Sequence, residues 1–292
     1  MVVRAIGPHS SFRIASLEAP AVPVLTRRPM LRPRLRPAAV LALLLAPGCA
    51  PAIREAATDV GPLTPASAEQ LVERMRGDWA GKWYESLEFR QLNTATTRSG
   101  EHASEWIERQ RVPGLLRIDF VSPQPNGSGL LYRGDSVYTF DAGAQTGAAR
   151  QPHPLRLLSA DVYALPGEAT IAALTEAGVD VAQFRVDQWQ GQPAYVVGAP
   201  AGDSTSSQFW VDAERMLLVR LVWAQAAGGR TVVTDYHVTY QDVGGFAVPQ
   251  EIVFLRGGRP YFRERYADVR TNVPLDSALF DPAQWARGAP AR

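Results

Sequence analysis

The chain has 292 residues, 46 % of them apolar, with 30 Lys and Arg against 29 Asp and Glu and a net charge of +1. A balance this even, with no basic block in the body of the chain, excludes a surface built to grip nucleic acid, and the apolar share suits a globular protein with a buried core. A single cysteine excludes a disulfide framework within the chain.

That cysteine ends a short N-terminal pattern. Arg27, Arg28, Arg32, Arg34 and Arg36 precede the apolar run 38–46, which leads through Pro47 and Gly48 to Cys49. A basic head, a short apolar stretch and small residues before a cut are the marks of a secretory signal. The run falls far short of the ~20 residues that span a bilayer as a helix. Met30 opens the signal compactly, so residues 1–29 read as an over-extended start and 30–48 as the signal peptide; a long basic leader is the other reading. A cysteine directly after the cut resembles the lipobox of bacterial lipoproteins. Ala46 and Gly48 fit it, and Pro47 departs from it. The resemblance implies lipid attachment at Cys49 and a place on the periplasmic face of the bacterial outer membrane. The alternative is an ordinary signal peptide with an incidental cysteine.

Without this leader about 240 residues remain, mildly acidic in balance and enough for one domain. Residues 49–64 are small and Pro-containing and read as a flexible tether. Ser67 followed by Gln70 has the form of a capping box. Leu71, Val72, Met75 and Trp79 follow at helical spacing, so this helix has one apolar stripe. From Trp83 the period changes to two. Leu87 and Phe89, then Leu116, Ile118 and Phe120, then Val137, Tyr138 and Phe140 lie in short runs of strand character, the last after the turn signal Gly134-Asp135.

Residues 142–154 read as a loop. Leu155, Leu157, Leu158 and Val162 predict a short helix, and Ile171 with Leu174, between Pro166-Gly167 and Gly178, predicts another. Strands resume at 184–189, 195–197, 208–211, 216–223, 231–240, 248–255 and 261–269, joined by short glycine-bearing turns. Connections this short mean antiparallel pairing. About eleven strands are too many for a flat open sheet, so strong curling is expected. Along 216–223 strict alternation puts Leu217, Val219, Leu221 and Trp223 on one face and Met216, Leu218 and Val222 on the other. Both faces are then covered, or one borders an apolar cavity.

Four stretches, in this order and spacing, carry a family resemblance. They are 113–120 (PGLLRIDF), 131–138 (LYRGDSVY), 208–212 (QFWVD) with 218–221 (LVRL), and 268–272 (DVRTN) with 279–282 (LFDP). With the capped helix leading through Trp79 and Trp83 into a long strand, the chain from about Ser67 to Trp285 resembles the periplasmic lipoprotein-carrier superfamily. That group holds the lipoprotein carrier protein, its outer-membrane receptor and sigma-factor regulatory lipid sensors. The resemblance implies an α+β fold over residues 65–287: a strongly curved antiparallel sheet, an incomplete β-barrel, with helices over its concave face. It also implies that acyl chains of a lipoprotein or lipid are held away from water. The receptor's exposed apolar loop has no counterpart here, since the loop 121–129 is polar beyond Val121.

Alternation places Phe89, Leu116, Ile118, Tyr138, Phe140, Val219, Trp223, Tyr236 and Phe254 on the wall of an acyl-chain groove, with Leu71, Met75, Leu157 and Leu158 on its lid. A slip of one residue in parity moves such residues to the other face. Chemistry points away from catalysis. His102, His153 and His237 are scattered without the short spacing of metal sites. No Gly-x-Ser-x-Gly elbow occurs, and no glycine loop opens a helix to cradle phosphate. The sequence therefore predicts no cofactor and a non-enzymatic envelope protein whose partners are acyl chains and, through the lipid, the membrane. The alternative is an envelope-stress sensor or assembly scaffold of the same fold that binds a protein partner. A hydrolase is the remote third reading.

Overall fold

The computed structural model describes residues 64–121, 127–227 and 229–288. Cys49 and the leader lie outside them, as does most of the polar loop after Val121.

Ser67 starts the first helix, α1 (Ala68–Asp78). Its Oγ accepts from the Gln70 N–H at 3.3 Å, and Gln70 Oε1 reaches back to the Ala66 N–H at 2.9 Å, a capping box displaced by one residue. Leu71, Val72 and Met75 form the apolar stripe, and all three are fully buried. Six strands follow: β1 (Ser86–Thr97), β2 (Gly100–Arg111), β3 (Leu115–Phe120), β4 (Gly129–Arg133), β5 (Ser136–Asp141) and β6 (Ala144–Arg150). Next come α2 (Pro154–Ser159), a 3-10 turn (Asp161–Tyr163) and α3 (Gly167–Glu176). Seven strands complete the sheet: β7 (Asp180–Trp189), β8 (Gln192–Gly198), β9 (Gln208–Asp212), β10 (Leu218–Ala227), β11 (Arg230–Val243), β12 (Phe246–Arg256) and β13 (Arg259–Thr271). Two 3-10 segments, Ser277–Phe280 and Pro282–Gly288, end the described chain.

All thirteen strands belong to one antiparallel sheet, ordered β6-β5-β4-β3-β2-β1-β13-β12-β11-β10-β9-β8-β7. The first and last strands meet in the middle, and β6 and β7 are free edges, so the sheet is an incomplete barrel. The topology explains the helices. Leaving one edge at β6, the chain must reach the opposite edge at β7, and α2, the 3-10 turn and α3 lie on that path across the concave mouth. The expected fold class is therefore the observed one, with two more strands than the count of about eleven.

The extra strands have a common cause. β2 is mostly polar, and β6 (AQTGAAR) is small and polar, so neither shows the alternation that signals a strand. Pairing makes them: β2 is held between β1 and β3, and β6 extends the sheet beyond β5. The segment expected as a loop at 142–154 is thus largely an edge strand.

The main core lies between the helices and the inner face of β8–β12. Leu71 and Met75 of α1, Leu158 of α2 and Leu174 of α3 pack in one cluster with Phe209, Val211, Leu221, Val238 and Ile252. A buried ion pair fastens this cover to the sheet. Arg156 Nε lies 3.0 Å from Asp161 Oδ2, Arg156 donates to the Gly134 carbonyl at 2.8 Å, and Asp161 accepts from the Gly114 N–H at 3.0 Å. On the outer face the C-terminal 3-10 segments lie against β3–β5, where Leu131 and Phe140 pack with Phe280 and Trp285. Arg117, fully buried, anchors them by donating to the carbonyls of Leu279 and Trp285 at 3.2 and 3.0 Å.

Candidate functional site: the concave trough

Strand register decides which side chains meet on the inner face. Leu221 lies opposite Tyr236, Tyr236 opposite Phe254, and Phe254 opposite Phe262. From the other side, Tyr132 lies opposite Leu116, Ile118 opposite Glu108, and Glu108 opposite Phe89. The two banks join through β1, where Gln91 pairs with Tyr266 and Asn93 with Glu264.

The rings on this face form a continuous wall. Tyr236 meets Phe254 with ring centroids 4.8 Å apart, Phe254 meets Phe262 edge-on at 5.2 Å, Phe262 meets Trp106 at 6.1 Å, and Trp106 meets Phe120 at 5.0 Å. Trp106 and Phe262 sit on β2 and β13, which are separated by β1. Neighbouring strands are about 4.8 Å apart, so a flat sheet would hold these backbones ~9.6 Å apart. Curvature leans the two rings toward each other over β1. Trp106, Phe120, Trp223, Phe254 and Phe262 are only half-buried, whereas Leu71 and Val197 beneath the helices are fully buried. The inner face is thus packed solid at its helical end and partly open along its aromatic wall.

Six of the nine residues expected on the wall face this side: Phe89, Leu116, Ile118, Trp223, Tyr236 and Phe254. Tyr138, Phe140 and Val219 do not. Register places Tyr138 opposite Leu131 and Phe140 opposite Gly129, on the outer face beneath Trp285. Val219 is turned outward by a bulge between Leu218 and Arg220, and it packs with Trp189, Ala194, Val196 and Trp210. The same bulge leaves Leu218 and Leu221 both facing the helices, so strict alternation over 216–223 breaks there. The strand itself begins at Leu218, because Met216 adopts a φ of 53° in the turn that Asp212 organises. Leu71, Met75, Leu157 and Leu158 do come together on the helical cover, buried in the main core.

Sequence reasoning missed Trp106, Phe120, Phe262 and Tyr266 as inner-face residues. It passed over Glu264, and Glu108, which with Glu105 reads in the sequence as a solvated position, is instead buried. The signal for the last four lay in β2 and β13, where charged residues alternate with inward-facing aromatics and acids in a pattern that mimics a solvated strand.

The floor is polar. Glu108 and Asn93 are 4 % and 3 % exposed, and Gln91 is 1 % exposed. Burial pushes the Glu264 carboxyl up to about 8, opposed by a hydrogen bond from Gln91. Burial, with the Glu264 charge adding to it, raises Glu108 well above the ordinary carboxyl range. Tyr132 is pushed up to about 12 by burial, against the pull of Arg156. His153 and His237 stand apart from this floor. His153 caps α2 by accepting the Arg156 N–H at Nδ1, 3.0 Å away, and burial lowers it to about 3. His237 lies 3.3 Å from Asp235, its ring against Trp189. Among the described residues no group of His, Cys, Asp and Glu is arranged to hold a metal, and no helix is long and apolar enough to cross a membrane.

Two hollows lie outside the trough. One of about 490 Å³ lies beside Glu88, Arg90, Arg109, Asp268 and Arg270, whose charges pair with one another. The other, about 760 Å³, lies along Arg111 and the backbone of 272–276, where Arg111 donates to the Leu275 carbonyl. Both are consumed in holding the C-terminal segment and the β1–β13 seam.

No family model and no curated protein matches the chain. Solved structures do. A domain from Vibrio parahaemolyticus described as an outer membrane lipoprotein-sorting protein superposes with a TM-score of 0.51 at 9 % identity, covering 74 % of this chain and 97 % of that one. A LolA superfamily protein from Nitrosomonas europaea gives 0.48 at 13 % identity over 74 % and 98 % of the two chains. A DUF1329 family protein from Desulfovibrio piger gives 0.49 at 14 % over 73 % and 95 %. The first of these likenesses establishes the lipoprotein-carrier fold; at this identity it speaks to the fold alone.

Proposed function

We propose that this protein is a non-enzymatic binding protein of the bacterial envelope that shelters an acyl chain in its concave trough. The observation that carries the reading is the half-open aromatic wall from Tyr236 through Phe254, Phe262 and Trp106 to Phe120. A contiguous row of half-buried rings along a curved face offers an apolar partner a surface already partly desolvated. An acyl chain gains about 0.8 kcal/mol for each methylene removed from water, so a dozen methylenes laid on this wall bind without any directed chemistry. The lipoprotein-sorting domain of the same fold supports the choice of lipid-linked cargo. Lipid attachment at Cys49 would tether the trough to the membrane from which such cargo comes.

Displacement of a fluorescent fatty acid from the purified protein tests the reading. Saturable binding is expected, with at least a tenfold loss in Phe254→Glu, whose folding is checked by circular dichroism because Phe254 is half-buried against the main core. Absence of binding at any concentration overturns it and favours a scaffold that binds a protein partner. Labelling with radioactive palmitate, compared between wild type and Cys49→Ser, tests the tether. Equal labelling of the two removes it.

A further inference from the structure

The polar floor of the trough is not explained by packing. Glu108 and Glu264 face inward from β2 and β13, on either side of β1, and among the described residues no Arg, Lys or His forms an ion pair with either. Between them lies Gln91, which donates to Glu264 and, at 2.9 Å, to Asn93 Oδ1. Asn93 is 97 % buried and stands opposite Glu264, and its Nδ2 has no acceptor. Two acids without counter-charge and one amide donor without an acceptor therefore share a single patch. An apolar trough has no need of them, since well-packed hydrophobic residues in their place would be no less stable. Their surroundings are ring faces: Tyr266 stacked on Phe89 at 3.9 Å, and Trp106 against Phe262. Negative ring faces and carboxyls both favour a cation.

We propose that this floor receives the head of an amphiphile that carries an ammonium group and, within two carbons of it, an oxygen. The ammonium sits among Glu108, Glu264 and the rings, the oxygen accepts from Asn93 Nδ2, and the alkyl chain runs along the aromatic wall. The inference rests on the acyl-chain reading and deepens it by naming the head group. The protonation balance is definite. Glu264, pushed up to about 8, is mostly protonated at neutral pH, and burial raises Glu108 in the same direction, so an ammonium that pairs with Glu264 displaces its proton to solvent and leaves a single ion pair in the trough. Other ionisable groups facing this floor are Tyr84, Tyr132, Tyr236, Tyr240 and Tyr266, all held neutral by burial, and His102, which lies opposite Ala95 toward the exposed end of β2 and bonds Ser99 and Thr97. The guanidinium groups that act on the tyrosines of this face are engaged elsewhere: Arg156 pairs with Asp161, and Arg256 lies over the Tyr261 ring at 4.5 Å.

Titration calorimetry on the full chain with 2-aminododecan-1-ol, dodecylamine, dodecan-1-ol and dodecanoate, at pH 6, 7 and 8, tests the proposal. The amino alcohol is expected to bind at least tenfold more tightly than dodecan-1-ol at pH 8, with affinity rising about tenfold from pH 6 to 7 and about fivefold from pH 7 to 8, as Glu264 itself begins to ionise. Glu264→Gln and Glu108→Gln are isosteric and should weaken or abolish that slope. Asn93→Leu should erase the preference for the amino alcohol over dodecylamine. Equal binding of the amino alcohol and the plain alcohol, or tightest binding of dodecanoate, overturns the head-group proposal while the trough reading stands. Failure of all four probes overturns the trough reading itself.

Discussion

Phe140 stacks face to face on Trp285, with ring centroids 4.1 Å apart and planes 6° from parallel. This contact, 145 residues apart in sequence, closes the outer face of β3–β5 and explains why Phe140 is unavailable to the trough. Gly129 makes room for it, because a Cβ there would stand 2.1 Å from the Ile118 carbonyl oxygen and 2.8 Å from the Trp285 ring. Trp285→Ala should cost about 3–5 kcal/mol, and Gly129→Ala should be strongly destabilising as well. Urea denaturation of the two variants measures both, and a Trp285→Ala loss below 1 kcal/mol would show that the C-terminal segment is only loosely held.

The Arg156–Asp161 pair is almost wholly buried and fastens α2 to the turns at Gly114 and Gly134. Removing one partner leaves an uncompensated charge. Asp161→Ala should therefore cost about 3–5 kcal/mol, and the double variant Arg156→Met with Asp161→Ala should recover part of that loss. A thermodynamic double-mutant cycle measures it. Simple additivity of the two single changes would contradict the coupling.

Glu264 gives stability a direction in pH. Its folded carboxyl titrates at about 8, above the 4.5 of the unfolded chain, so between those values the folded state holds the extra proton. Stability from this group is then fully present below about pH 4.5 and is lost as pH rises through 8. Glu264→Gln should nearly match wild type at pH 4.5 and exceed it by about 4 kcal/mol at pH 8. Equal stability of the two proteins at both pH values would place the carboxylate in water.

Leu71, Met75 and Leu158 are fully buried in the main core, so lifting α1 and α2 away as a lid would expose the interior of the protein. A chain entering by the half-open aromatic wall faces no such cost. Leu71→Ala should destabilise the protein by about 2–5 kcal/mol. Amide protons of α1 should exchange only with global unfolding, which native-state hydrogen exchange reads directly. Exchange of α1 through a low-energy local opening would restore the helix as a mobile gate.

Much of the architecture was legible in residue pattern. The Ser67–Gln70 cap, the Leu71/Met75 stripe, the helices between β6 and β7, and most strands of the antiparallel sheet follow from local signals: capping, periodicity and glycine turns. β2 and β6 escaped because their strand state comes from pairing with neighbours and not from their own alternation. The candidate site was legible only in part, and Tyr138, Phe140 and Val219 show why. Alternation says that successive residues face opposite ways; it does not say which way is inward when both faces are covered.

The chain's own order of residues determined that a helix and a long run of antiparallel strands would form, because those elements answer to interactions within a few residues. Tertiary structure alone decided which face became the trough. The Leu218–Arg220 bulge, the Trp285 segment on the outer face and the meeting of β1 with β13 join residues remote in sequence. The same closure brought Glu108, Asn93 and Glu264 to one floor from three strands, and burial by distant partners, not the residues' own chemistry, raised those carboxyls.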